Sequence, residues 1–238
     1  MSLQAPAFTP LSASPQEGRS TIALRVYRQL REAIVSLRLL PGNSLSEAEV
    51  AKQMGTSRQP VREAFIKLQE IGLVEIQPQR GTFVIKISAR DVENARFIRE
   101  AVEVAIARKA CELATDSDMA KLQRLIEDQR RAAETDDQEW FLRLDDAFHQ
   151  SIAQSADCLY GWRIIEDLKA QMDRVRFLSL PTATPINKLI DQHRSIVEAI
   201  RRKDPERAEK AVRKHMSEIL VSLPKLAAEH AELFSEEG

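Results

Sequence analysis

The sequence predicts a mostly α-helical protein in two parts, an N-terminal winged helix-turn-helix with a small β-hairpin wing and a C-terminal all-helical bundle. Three observations carry that prediction. Seven glycines and 5% aromatics stand against an abundance of Ala, Leu, Ile, Glu, Arg and Lys, residues that lose little rotamer freedom in a helix. Apolar residues recur every three or four positions through most of the chain, and strand-like alternation is confined to "GLVEIQPQRGTFVIKI". Finally, 43% hydrophobic and 30% charged residues in 238 positions suffice for one large or two small cores and exclude a disordered chain.

The elements follow in order. Residues 1–20, with three prolines and no periodicity, read as a flexible tail. A DNA-binding part is expected over 21–87. It opens with a helix whose apolar positions are Leu24, Tyr27, Leu30, Ile34 and Leu37, ended by Pro41 and Gly42. Ser46 and Glu49 form a capping box for a short helix to Met54. Gly55 closes it as a left-handed C′ residue, and Ser57 caps the next helix. Pro60 then falls in a first turn, where its missing N–H costs nothing. Val61, Phe65, Leu68 and Ile71 face the core, and a hairpin turning over Pro78 to Gly81 supplies the wing.

An all-helical part is expected over 88–229. Ser88 and Asp91 start a helix to about Leu113. Further helices fit roughly 117–132, 137–155, 159–177, 186–203 and 205–228, the last announced by Asp204 and Pro205. Residues 230–238 read as an acidic tail with a solvated His230, and no internal repeat suggests a solenoid. No apolar run approaches the ~20 residues that span a bilayer, and no export signal opens the chain, so a soluble cytoplasmic protein is expected. Cys111 and Cys158 lie far apart without CxxC spacing, which gives a disulfide framework or a cysteine zinc finger no support, and buried, inert thiols are expected.

Charge separates the two parts. Residues 20–87 hold ten Lys or Arg against six Glu, a net +4, and leave −5 for the rest of a chain whose formal net charge is −1. In a helix-turn-helix the second helix lies in the major groove and its first residues reach base edges. Arginine pairs bidentately with guanine and glutamine with adenine, so Arg58, Gln59 and Arg62 are candidate base readers. Ser57 and the amides beside it suit a phosphate, and the wing tip, Arg80 and Gly81, suits the DNA backbone or minor groove.

The helical part holds a second constellation. Three of four histidines, His149, His193 and His215, fall on apolar helix stripes, where a buried imidazole needs polar or metal partners. Asp145 lies four residues before His149 and leaves the same helix on the same side. One Asp and three His from three helices make a site for a divalent metal ion, with zinc favoured and nickel or manganese also compatible.

At this point a resemblance enters. "LSEAEVAKQMGTSRQPVREAFIKLQEIGLVEIQPQRGTFV" resembles the DNA-binding domain of GntR-family bacterial transcription regulators, and the helical part resembles that of the FadR-like branch. "LDDAFHQSI", "DQHRSIVEAI" and "AVRKHMSEI" resemble the motifs by which metal-containing members hold a divalent ion, which implies Asp145, His149, His193 and His215 as ligands. The resemblance further implies DNA contacts at Ser57, Arg58, Gln59, Arg62 and Gly81, and Arg99 facing the effector's carboxylate, with Arg96 a competitor. This chain has Ala48 where some relatives place arginine and Cys158 where many place asparagine. The expectation is a non-enzymatic, homodimeric regulator, a repressor, that binds a palindromic operator on double-stranded DNA under control of a small carboxylate. A metal-dependent hydrolase and a direct metal sensor are the alternatives.

Overall fold

The computed structural model describes residues 8–11, 21–180 and 183–236. It divides into two compact units, one comprising the chain up to Ser88 with a short segment that begins at Glu232, the other Ala89–Ala231.

Among the described residues the first unit is three helices and a small sheet. Helix α1, Ile22–Val35, is capped by Thr21, whose hydroxyl accepts the Leu24 N–H, and it buries Val26, Tyr27, Leu30, Ala33 and Ile34. It stops two residues before Leu37, which the periodicity had placed on the stripe and which takes φ 56° beyond the C-cap. Strand β1, Ser44–Leu45, precedes α2, Glu47–Met54, which Ser46 caps through the Glu49 N–H. Gly55 adopts φ 65°, ψ 37°, the left-handed geometry that releases the chain into α3, Arg58–Glu70. Strands β2, Val74–Gln77, and β3, Gly81–Val84, form the expected hairpin, but β1 adds to it, giving an antiparallel sheet in the order β1-β3-β2. Ser44 pairs with Phe83 and Leu45 with Thr82. Two residues are too few to show a period of two, which is why the hairpin alone was legible.

Both tails depart from expectation over their described parts. Phe8 is buried, and Leu11 donates its N–H to the Met54 carbonyl at 3.1 Å, so this part of the N-terminal segment packs against the end of α2. Toward the C-terminus, a 3-10 turn at Ala231–Leu233 leads to a parallel bridge between Phe234 and Ile87. Ile87 donates to the Leu233 carbonyl and accepts from the Ser235 N–H, both at 2.9 Å, and Phe234 is buried. His230, expected in solvent, is the half-buried C-cap of the preceding helix.

The second unit is helical throughout its described residues. It contains α4, Ala89–Leu113; α5, Asp116–Glu134; α6, Gln138–Ser155; α7, Leu159–Leu168; α8, Ala170–Ser179; α9, Ile186–Arg201; α10, Pro205–Met216; and α11, Glu218–Glu229. Caps explain three starts: Thr115 and Asp118 form a capping box, Asp137 accepts the Trp140 N–H, and Asp204 accepts the Arg207 N–H ahead of Pro205. Phe141, Phe148, Trp162, Ile126, Ile196 and Val212 fill the core. Two helices expected to be continuous are broken. The 159–177 helix divides at Lys169, and the 205–228 helix divides at Ser217, whose hydroxyl donates to the Lys214 carbonyl and competes with the backbone ladder.

Candidate DNA-reading face and buried histidine centre

Helix α3 presents Ser57, Arg58, Gln59 and Arg62 to solvent at its start. Ser57 occupies the N-cap position in extended geometry but makes no side-chain capping bond, so the first amides of α3 stay available to a ligand oxygen. Gln59 donates to Glu63 at 3.1 Å. Arg62 is held bidentately by Glu47 of α2, with both N–H···O distances 2.9 Å, and that pairing lowers the Glu47 carboxyl and raises the guanidinium. The wing turn exposes Arg80. Gln79 at φ 63° and Gly81 at φ 114° make the turn, and the second value lies where a side chain is strained.

In the second unit the structure brings Asp145 and His149 of α6, His193 of α9 and His215 of α10 together, each offering a ligand atom within 4.8 Å of the others. All four are buried. The Nε2 atoms of His149 and His193 lie 3.2 and 3.3 Å from that of His215, and Asp145 Oδ1 lies 3.4 Å from His193 Nε2. A first-row ion with metal–nitrogen bonds of about 2.0–2.1 Å sets neighbouring ligand nitrogens roughly 3.0–3.4 Å apart, so the donors fit a divalent ion. Burial, opposed by Asp145, lowers His193 to about 3. Burial and then the charges of His193 and His149 push His215 well below the usual imidazole range. Both rings therefore offer lone pairs at neutral pH.

Two outward-facing nitrogens have hydrogen-bond partners that sequence reasoning missed, and the third, His149 Nδ1, has a carboxylate close by but outside hydrogen-bond geometry. Gln129 Oε1 lies 2.8 Å from His193 Nδ1, Gln192 Oε1 lies 3.0 Å from His215 Nδ1, and Glu103 Oε2 lies 2.6 Å from His149 Nδ1. Burial would raise Glu103, but Arg99 and His149 hold it well below the usual carboxylate range. Asp145 behaves alike, its burial outweighed first by Arg176. Arg176 of α8 also pairs with Asp146 at 3.2 Å and Asp173 at 3.0 Å, and Lys169 reaches the same two carboxylates. Asp146 thus belongs to the same charged network. Glu103 had a signal, a charge on the stripe of Val92, Ala95, Arg99 and Ile106; Arg176 had none.

A pocket adjoins the cluster. Asp145 and His215 line it together with Arg99 and Arg176, among apolar Phe141, Leu180 and other side chains. Arg99 Nε donates to Glu103 Oε1 at 2.5 Å, but its buried Nη2 has no hydrogen-bond partner among the described residues. Arg96 pairs with Glu100 and is not among the lining residues.

Comparison with known proteins matches both units. Residues 22–84 match the family described as bacterial regulatory proteins, gntR family, and residues 94–218 match the FCD domain. The chain is 45% identical over 213 residues to the HTH-type transcriptional repressor RspR of Escherichia coli (strain K12), covering 90% of this chain and 93% of that one. It is 35% identical over 211 residues, 88% of each chain, to an HTH-type transcriptional regulator in an unstable DNA locus of Streptomyces ambofaciens. The solved structure of E. coli McbR/YncC shares the fold, with a TM-score of 0.77 at 24% identity over 87% of this chain and 99% of that one.

Proposed function

The chain belongs to the GntR family of bacterial transcriptional regulators, with an FCD domain after its winged helix-turn-helix, and on that premise we propose that it is a repressor whose operator affinity is controlled by a small carboxylic acid bound at a divalent metal site. One observation carries the effector half of this reading: three imidazoles and a carboxylate converge in a buried cluster, and the pocket beside it holds a guanidinium nitrogen with no hydrogen-bond partner among the described residues. Asp145, His149, His193 and His215 would hold the ion, zinc before nickel or manganese for a site of three nitrogens and one oxygen. When bound, the ion supplies a Lewis-acidic position for a carboxylate oxygen. Arg99 Nη2 would pair with another oxygen of the same ligand, and the apolar lining would exclude water around both contacts. No helix among the described residues is long and apolar enough to cross a membrane.

At the DNA-reading end, Arg58 and Gln59 are exposed for base edges. Arg62 would have to exchange Glu47 for a base or phosphate, and Arg80 and Gly81 would meet the DNA backbone at the wing. A palindromic operator calls for two copies of the recognition helix. Support for a homodimer comes from exposed Phe97 and Ile98 on α4 and Leu159, Tyr160 and Ile164 on α7. These two helices are neighbours, since a Cβ added to Gly161 would touch Ile106 and Val102.

The test is binding of the zinc-loaded protein to its own upstream intergenic DNA at fixed salt, with and without a panel of small carboxylic acids. Release by one acid supports the proposal. Insensitivity to every acid combined with a response to Zn²⁺ alone would instead make the ion the signal, and an absence of specific binding would reject the regulator reading altogether. In the same assay Arg58→Ala should weaken specific binding by about 1–3 kcal/mol, roughly 5- to 150-fold, and relax discrimination at one base position. Its thermal midpoint should not move, because Arg58 is exposed; equal affinity for wild type and variant would remove Arg58 from the reading face.

A further inference from the structure

We infer that the side-chain amides of Gln129 and Gln192 set the tautomers of His193 and His215, so that the centre offers a cation lone pairs with no proton between them. The inference rests on the metal reading above and adds the residues that prepare the site. It follows from which atoms can only accept a hydrogen bond. The Leu144 backbone carbonyl is an acceptor, and Gln129 Nε2 donates to it at 3.3 Å, so the oxygen end of that amide is the one facing His193 Nδ1 at 2.8 Å. An amide oxygen also only accepts. Nδ1 must therefore carry the ring proton, and Nε2 is left with its lone pair.

The same logic holds at the second ring through a different anchor. Gln192 Nε2 donates to the Glu218 carboxylate at 2.9 Å, which turns Gln192 Oε1 to His215 Nδ1 at 3.0 Å. At the third ring the Glu103 carboxylate lies 2.6 Å from His149 Nδ1 but outside hydrogen-bond geometry, so it fixes no tautomer there. Two rings are thereby biased in one sense, with their Nε2 atoms 3.3 Å apart. Two unprotonated nitrogens at that separation share no hydrogen and repel unless positive charge lies between them. Reversing either amide would set oxygen against oxygen at Leu144 or Glu218.

Each glutamine meets the Nδ1 of a ring whose Nε2 belongs to the cluster, so both act through a ring and are positioning residues. They differ in what steadies them. Gln129 is fully buried and fastened to main chain, whereas Gln192 is fastened to Glu218, which lines the pocket and pairs with Lys188 at 2.6 Å. The orientation of His215 is thus held by a side chain at the pocket, that of His193 by backbone.

The test uses the full chain freed of metal by a chelator, then titrated with Zn²⁺ against a chromogenic competitor. Gln129→Met and Gln192→Met keep side-chain length but remove the acceptor, and each should weaken Zn²⁺ binding about 10- to 100-fold. Long-range ¹H–¹⁵N spectra of the imidazoles should show the Nδ1–H form in the metal-free wild type, lost only at the ring whose amide partner is replaced. A merely structural role would not confine the change to one ring. Zn²⁺ affinity and tautomers unchanged in both variants overturn the inference. Wild-type protein that takes no Zn²⁺ overturns the metal reading, while the spectra decide the tautomers independently. Should one variant fail to fold, the other carries the same test.

Discussion

Acidification from pH 7 to pH 4 should unfold the metal-free second unit while the first unit stays folded. All four histidines lie between Ala89 and Ala231, so the first unit has no histidine. In the second unit burial lowers His193 from 6.5 to about 3 and pushes His215 down as well. The folded rings thus refuse protons that the unfolded chain binds. Their contribution to stability is complete above pH 6.5 and is lost as pH falls toward the folded value. His193 alone removes on the order of 3 kcal/mol by pH 4, against a total of about 5–15 kcal/mol for a typical domain.

The buried carboxylates act in the same direction at lower pH. Asp145 and Glu103 are held below the usual range by their charged neighbours, so what they contribute is present above about pH 4.5 and is lost in stronger acid. A bound divalent ion would steepen the response, since protons compete for the same ring nitrogens. Urea titrations followed by circular dichroism between pH 7.5 and 4, in the presence of a chelator, measure the effect. A midpoint independent of pH across that window would show that the rings are hydrated rather than buried.

Replacement of Arg176 by methionine should destabilise the second unit by about 3–5 kcal/mol, the cost of leaving buried charge without its partner. Arg176 is the shared cation of Asp145, Asp146 and Asp173, and Asp145 and Asp173 are both buried. Burial opposes the guanidinium's charge, but Asp145 first, then Asp146 and Asp173, hold it above its ordinary value. Without it Asp145 loses the largest influence lowering its carboxyl, so the variant should approach wild-type stability in acid, where the carboxylates are protonated. Arg176→Lys should recover part of the loss, because an ammonium restores the charge but not the planar fork. A methionine variant within about 0.5 kcal/mol of wild type at pH 7 would mean that water replaces the guanidinium, and that the network is surface-like.

Local signals explain what was legible beforehand. Ser46, Gly55, Pro60 and Asp204 mark helix ends by their own backbone chemistry, and these ends fall within a residue or two of expectation. Polar residues on apolar stripes pointed to Asp145, His149, His193 and His215, which the structure gathers. The break at Lys169 has no glycine or proline to announce it; a buried lysine reaches Asp146 from another helix and Asp173 from the next turn. Gln129, Gln192 and Arg176 likewise acquire their meaning from partners on other helices. Spacing within one helix carries no trace of them.

The bridge between Ile87 and Phe234 alters what it means to separate the two units. The polypeptide leaves the DNA-reading unit at Ser88, builds the bundle, and returns at Glu232. A fragment that stops at Ser88 would forfeit both backbone bonds to Ile87 and uncover polar groups that are paired in the intact chain. By the same topology a protease that cuts once between Ser88 and Ala89 leaves residues 1–88 held only by noncovalent contacts to the segment that begins at Glu232, which stays covalently attached to the bundle. Freeing the bundle from that segment takes a second cut, near residue 231.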